Sequence, residues 1–287
     1  MQISINTRVI DLLLALSEKL GEVNGMHFNH SAVKQEKMSA VASNKACMEL
    51  IGIDLSFDQV YKLRHHYLIK APKKDVQAAR ILIDNYDHLS EGSYSSIRDY
   101  KKTLKNLASY KLNEDGQPEA PSDEKLRSLF QVIKNPSLHF LIKILEFHYE
   151  VLRIFPSKNT AIEVALLWQK RMLIHYNALF SFLDYESMLL KYKADYSKLV
   201  RRVREGENNE KFFLFLLKIL NESVEDHLRK QRGSLSTESR ISLFKQSVEE
   251  DSFSRQDYLR KFKFISAITA SRDLRFAVES GQFIKKG

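Results

Sequence analysis

The alternation of apolar and polar positions predicts a chain of helices from one end to the other. Ile10–Leu20 is amphipathic, Lys34–Leu50 is helical, and Phe57–His66 starts after Ser56, an N-cap with Asp58 in the first turn. Apolar residues recur at helical spacing over Asp75–Tyr86, and further helices follow over Ser95–Leu107 and Leu126–Val132. Leu138–Arg153 is apolar nearly all round, which predicts a helix at the centre of a sizeable domain, and Thr160–Asn177 is its expected partner. Lys170 and Arg171 are expected at that partner's edge, and Trp168 in the core. Towards the end, Glu238–Glu249 turns Ile241, Leu243, Phe244 and Val248 inward. Ser254 caps a short helix through Phe262, Ser266 caps Ala267–Ser280, and Gly281 suits the C′ position. Gln282–Lys286 reads as the start of a β-strand.

Composition fits this pattern. Helix formers dominate the 287 residues, and nine glycines and five prolines leave few breaks. Hydrophobic residues make up 44% and the mean hydropathy is −0.34, as expected of a soluble globular protein. The N-terminal segment MQISINTRVIDLLLALSEKL has too short an apolar run for a membrane span and lacks the features of a signal peptide. No membrane contact is therefore expected. The single Cys47 excludes an intramolecular disulfide and points to a cytoplasmic setting. A net charge of +9 suits a negatively charged partner such as nucleic acid.

The segment 147–167, FHYEVLRIFPSKNTAIEVALL, carries the most specific information. Phe147-His148-Tyr149-Glu150-Val151-Leu152-Arg153-Ile154 closely resembles the helix leading into the signature loop of the Fic (Fido-fold) family. Leu183–Leu228 resembles that family's post-motif region. Most Fic proteins transfer AMP from ATP to a protein hydroxyl, through a loop H-P-F-x-[D/E]-G-N-[G/K]-R-x-x-R. Laid on without gaps, it meets Phe155, Pro156, Ser157, Lys158, Asn159, Thr160, Ala161, Ile162, Glu163, Val164, Ala165 and Leu166, and only the proline is kept.

Each departure removes a chemical role that the resemblance implies. The general base is a histidine, and Phe155 has no basic lone pair. The magnesium-holding acid becomes Asn159, a poorer partner for a hard cation. Thr160, Ala161 and Ile162 crowd the nest of backbone N–H groups that glycine allows around phosphate. Glu163 and Leu166 replace the two arginines, so phosphate meets repulsion and finds no fork. The reading is a degenerate loop without catalytic residues, metal ligands or cofactor. The alternative is a protein adenylyltransferase with an atypical loop, using ATP and magnesium. Family members also carry an inhibitory motif, S/T-x-x-x-E-[G/N]; here its serine position falls on Cys47 and its glutamate on Ile51, with Gly52 retained. The β-hairpin flap that registers target peptides would fall in the polar, turn-rich Tyr110–Pro121. Tyr110 and Leu112 read there as a strand stub turning at Asp115-Gly116, or the segment is a plain connection.

After the linker Gln231–Ser236, SRQDYLRKFKFISAITASRDLRFAVESGQFIKKG closely resembles the winged-helix tail of many bacterial Fic proteins, Thr269–Leu274 being its most specific piece. In DNA-binding winged helices the last helix enters the major groove. That resemblance offers Thr269, Ser271, Arg272 and Arg275 to DNA, with Ser254 and Arg255 holding a phosphate. A tail for protein contact is the other reading, because Asp257, Asp273, Glu279 and Glu249–Asp251 partly cancel its charge.

Other groups carry less. His65-His66 are adjacent and face apart on a helix, and His27 and His30 have no supporting ligands. His148 is expected as a hydrogen-bonded core residue, and Arg201-Arg202-Val203-Arg204 as a solvated helix face. The expectation is a mainly α protein: a degenerate Fic-like helical domain over 1–232 and a winged helix-turn-helix domain over 235–287. It would act as a non-catalytic regulator or binding protein, with DNA or another protein as partner.

Overall fold

The computed structural model describes residues 6–25, 32–108, 120–248 and 252–285. Two compact units divide the chain, Met1–Val224 and Glu225–Gly287. Among the described residues both are helical, and no strand occurs. No helix among them is long and apolar enough to cross a membrane. His27, His30, most of the Tyr110–Pro121 segment and Glu249–Asp251 lie outside the described residues.

The first unit begins with α1 (Thr7–Gly25) and α2 (Ala32–Leu50). Gly52 follows α2 at φ +89, and the amide of Ile53 returns to the Met48 carbonyl at 2.8 Å, a helix ending that needs a residue without Cβ. α3 (Phe57–Arg64) opens on a full capping box between Ser56 and Gln59. α4 (Lys73–Asp87), α5 (Ile97–Ala108) and α6 (Asp123–Lys134) follow.

The centre is the pair α7 (Phe140–Ile154) and α8 (Lys158–Tyr176), joined by three residues and packed on each other. Apolar side chains surround α7, and eleven of its fifteen residues are buried. Tyr100, Phe130, Phe147 and Trp168 form an aromatic knot here, with the Tyr100 and Trp168 rings edge-on at 4.7 Å. Trp168 Nε1 donates to the Tyr94 carbonyl at 3.0 Å. Lys170 is not at an edge: it is 3% exposed, and its ammonium meets the Leu183 carbonyl at 2.5 Å and Glu186 at 3.2 Å. A buried ammonium is tolerated only with such partners. Arg171 lies over Trp168 and donates to the carbonyls of His88 and Leu89.

A 3₁₀ turn (Ala178–Ser181), α9 (Tyr185–Lys191) and α10 (Lys193–Arg204) lead to α11 (Glu210–Ser234). The division between units falls inside α11, which continues through Gly233, so the expected linker is helical as far as Ser234.

The second unit adds α12 (Thr237–Ser247), α13 (Arg255–Lys261) and α14 (Ala267–Glu279). Phe244, Tyr258, Phe262 and Ala270 form its core, covered by Leu243, Phe253, Leu274 and Phe283. The expected strand over Gln282–Lys286 is not formed among the described residues. The amides of Gln282 and Phe283 both return to the Ala277 carbonyl at 2.8 and 3.1 Å, and the Phe283 ring packs 4.8 Å from Phe253. Donors spent on a helix end cannot pair with a strand, so the described residues of this unit are helices and turns without a wing.

Candidate functional site

The motif-like loop of the first unit comes down to Phe155, Pro156 and Ser157. Phe155 ends α7 with its ring 1% exposed, so the position of the family's general base points into the core. Ser157 then caps α8, accepting from the Thr160 amide at 3.3 Å, while its carbonyl accepts from the Ala161 amide at 3.0 Å. α8 therefore starts two residues earlier than its periodicity predicts. A serine followed by polar Lys158 and Asn159 is a legible cap signal that the apolar pattern passed over. Thr160, Ala161, Ile162 and Glu163 lie within the helix and are buried, Glu163 fully. Lys158 and Asn159 remain exposed on the first turn.

Arg204, from the end of α10, completes this loop. Its guanidinium donates through Nη1 to the carbonyls of Leu152 (3.0 Å) and Phe155 (2.9 Å), and through Nη2 to that of Pro156 (2.7 Å). These carbonyls at the end of α7 have no partner further along the helix, and one planar fork satisfies three of them. The solvated face expected of Arg201–Arg204 thus has one member committed inward. Spacing could not show it, because the partners lie about fifty residues earlier in the chain.

The α10–α11 turn is fixed to α7 at two further points. Tyr149 Oη donates to the Glu207 carbonyl at 2.5 Å. Asn209 Nδ2 donates to Glu146 Oε2 at 2.8 Å, and both residues are buried. Glu146 Oε1 and Asn209 Oδ1 are buried without a hydrogen-bond partner. Burial pushes the Glu146 carboxyl up to about 7 against the bond from Asn209.

His148 lies deep in α7 with Gln169 Oε1 at Nδ1 and the Tyr196 hydroxyl 2.9 Å from Nε2. Since Oε1 only accepts, Nδ1 carries the proton and Nε2 accepts from the tyrosine. Burial pushes its pKa down to about 4 despite the Gln169 bond, as expected of a neutral core histidine. Cys47 and Ile51, at the inhibitory-motif positions, are buried where α2 ends. Among the described residues no cluster of three metal-ligating side chains occurs, and His65-His66 form none.

In the second unit, Arg255, Ser271, Arg272 and Arg275 line one groove of about 290 Å³ with Ala267 and Ile268. Arg255 Nη1 donates to Ser271 Oγ at 3.2 Å, which ties α13 to α14 there. Ser254 and Thr269 are placed differently. The Ser254 hydroxyl closes a capping box with Asp257, and Thr269 faces the Ser266 cap at 3.0 Å. Asp273 is 1% exposed and takes both arms of Arg240 (2.7 and 2.8 Å), Thr237 Oγ1 (2.8 Å) and the Tyr258 hydroxyl (3.1 Å). It therefore belongs to the core and does not offset the arginines on the outer face of α14. Burial alone would raise its pKa, and the Arg240 fork outweighs that and leaves it lowered.

No family model matches the chain, and no curated protein is similar to it in sequence. Among solved structures it is similar to a Fic family protein from Desulfovibrio desulfuricans G20, with a TM-score of 0.68 and 16% identity, over 98% of this chain and 92% of that one. At that identity the likeness establishes the fold: the chain has the helical fold of a Fic family protein.

Proposed function

We propose that this chain is a Fic-fold protein that does not transfer nucleotides and works by binding, with its C-terminal helix-turn-helix contacting DNA. The observation that carries the first part is the winding of the motif positions into α8. Amides that a phosphate nest would need already bond to Ser157, and Arg204 holds the neighbouring carbonyls. Buried Glu163 stands where the resemblance puts a phosphate-binding arginine, and Phe155 where it puts the base. These residues do not fit a magnesium-bound triphosphate: the only oxygen at the metal-ligand position is the neutral amide of Asn159. No transition-state stabilisation is left to assign.

DNA contact is supported by four arginine and serine side chains sharing one groove on α13 and α14, with Asp273 turned inward. Phosphate is the natural first contact for such a surface, and α14 the element for the major groove. The test has two arms. Incubation with labelled ATP and magnesium should give no AMP incorporation and no rise in melting temperature; either signal would restore the adenylyltransferase reading, most directly if Asn159→Ala abolished it. A genomic-fragment binding selection should enrich a defined duplex, and Arg272→Ala should weaken its binding and flatten the salt dependence. Unchanged affinity in that variant would remove the DNA assignment.

A further inference from the structure

From Gln59 to Lys74 the chain carries Lys62, Arg64, Lys70, Lys73 and Lys74 and not one Asp or Glu. Two of these cations serve the fold: Lys62 pairs with Asp58 at 2.6 Å, and Arg64 with Asp87 at 2.5 Å. Lys70, Lys73 and Lys74 are exposed and meet no carboxylate among the described residues. Lys73 and Lys74 share the first turn of α4 with a single acid, Asp75, at a helix end that is already partially positive, and Pro72 gives no side-chain cap. Charges placed this way do not stabilise the helix; an incoming polyanion would relieve them.

The same hairpin exposes rings. Tyr61 is 41% and Tyr67 62% exposed, and His65 lies edge-on to Tyr61 at 4.4 Å. The backbone that presents them is braced: the Tyr67 amide donates to the Lys62 carbonyl at 2.9 Å, and Gln59 Nε2 to that of Lys70 at 2.9 Å. Between them His66 sits at φ +61, the only non-glycine residue with positive φ among those described. That conformation costs energy, and a strained turn that holds aromatic side chains outward is a feature to be explained by use.

We infer that the α3–α4 hairpin is a binding surface for single-stranded nucleic acid, with Tyr61 and Tyr67 stacking on bases and Lys70, Lys73 and Lys74 tracking phosphates. Flat rings with interleaved cations match a strand whose bases are uncovered, whereas a duplex hides its base faces. A bilayer would reward aliphatic side chains, and of these only Leu68 is fully presented, at 89% exposure. A neighbouring groove of about 640 Å³ extends the path past Arg80 and Lys105; its acids are Asp84 and Asp87, the second already held by Arg64.

The test uses the full chain carrying Arg272→Ala, so that any contact made by α14 is removed. Fluorescein-labelled oligothymidylate of about twelve nucleotides is titrated by anisotropy at several salt concentrations, beside a duplex of equal length and vesicles of phosphatidylcholine and phosphatidylserine. Saturable binding to the single strand, weakening with salt, is expected. Tyr67→Ala should weaken it on the order of ten-fold, and Lys73→Gln with Lys74→Gln should flatten the salt slope while the melting temperature holds. Equal affinity for these variants and their parent would overturn the assignment, as would binding only to vesicles or only to duplex. Single-strand binding that disappears with Arg272→Ala alone would move the site to the second unit. Failure of duplex selection with survival of this binding would count against the α14 reading only.

Discussion

The guanidinium of Arg204 holds the carbonyl of Phe155 at 2.9 Å, and the same fork takes Leu152 and Pro156. A cation from α10 thus fixes the bend between the two central helices, at the loop where the Fic resemblance places its chemistry. Arg204→Ala should lower stability by about 1.5–3 kcal/mol, the range for hydrogen bonds made by a charged group. Arg204→Lys should recover less than half, because an ammonium cannot span three carbonyls in one plane. Urea midpoints decide it; an unchanged midpoint in the alanine variant would show that water serves the carbonyls equally well.

Glu146 and Asn209 make a second, pH-dependent tie. The carboxyl is raised in the folded chain from 4.5 to about 7, so the folded state binds its proton more tightly than the unfolded chain does. Stability from this group is therefore complete below pH 4.5 and is lost as the pH rises through about 7, on the order of 3 kcal/mol in all. Protonated, Oε1 can donate to Asn209 Oδ1, which satisfies both buried oxygens that lack partners. The charged groups that act on it are Glu150, which raises it further, and Arg153, which lowers it, both on α7. Glu146→Gln keeps both bonds without a titrating proton, so its melting temperature should be level across this range. A variant as pH-sensitive as the natural chain would refute the tie.

His148 acts with the opposite sign. Its folded pKa, about 4, lies below the ordinary 6.5, so the unfolded chain takes up a proton first as pH falls. Its contribution is intact above 6.5 and declines through 4. Nitrogen NMR at about pH 5.5 should show the neutral Nδ1–H imidazole. An imidazolium signal from a folded sample would mean that the Gln169 and Tyr196 contacts are wrong.

Asp273 anchors the second unit through Arg240, and their side chains are 1% and 10% exposed. Asp273→Asn leaves a guanidinium short of its counter-charge and should cost about 3–5 kcal/mol. Trp168 is the only tryptophan and belongs to the first unit. Its fluorescence transition should stay in place while hydrogen exchange rises over 255–279. Protection unchanged across that span would show that the aromatic core holds the unit unaided.

Several features were already readable along the chain. The all-apolar stripe placed α7 at the centre, Ser56, Ser254 and Ser266 announced their helices, Gly281 ended α14 at φ +70, and His148 among apolar neighbours signalled a core histidine. These signals are local: periodicity, capping and positive φ depend on residues within a turn of one another. Fold alone, however, decided that Lys170 goes inward to Glu186, that Arg204 turns to Phe155, and that Asp273 leaves the surface for Arg240. It also decided that Gln282 and Phe283 close a helix instead of opening a strand. A long charged side chain can lie in water or reach a distant carbonyl or carboxylate at similar cost, and only the packing of remote segments settles which.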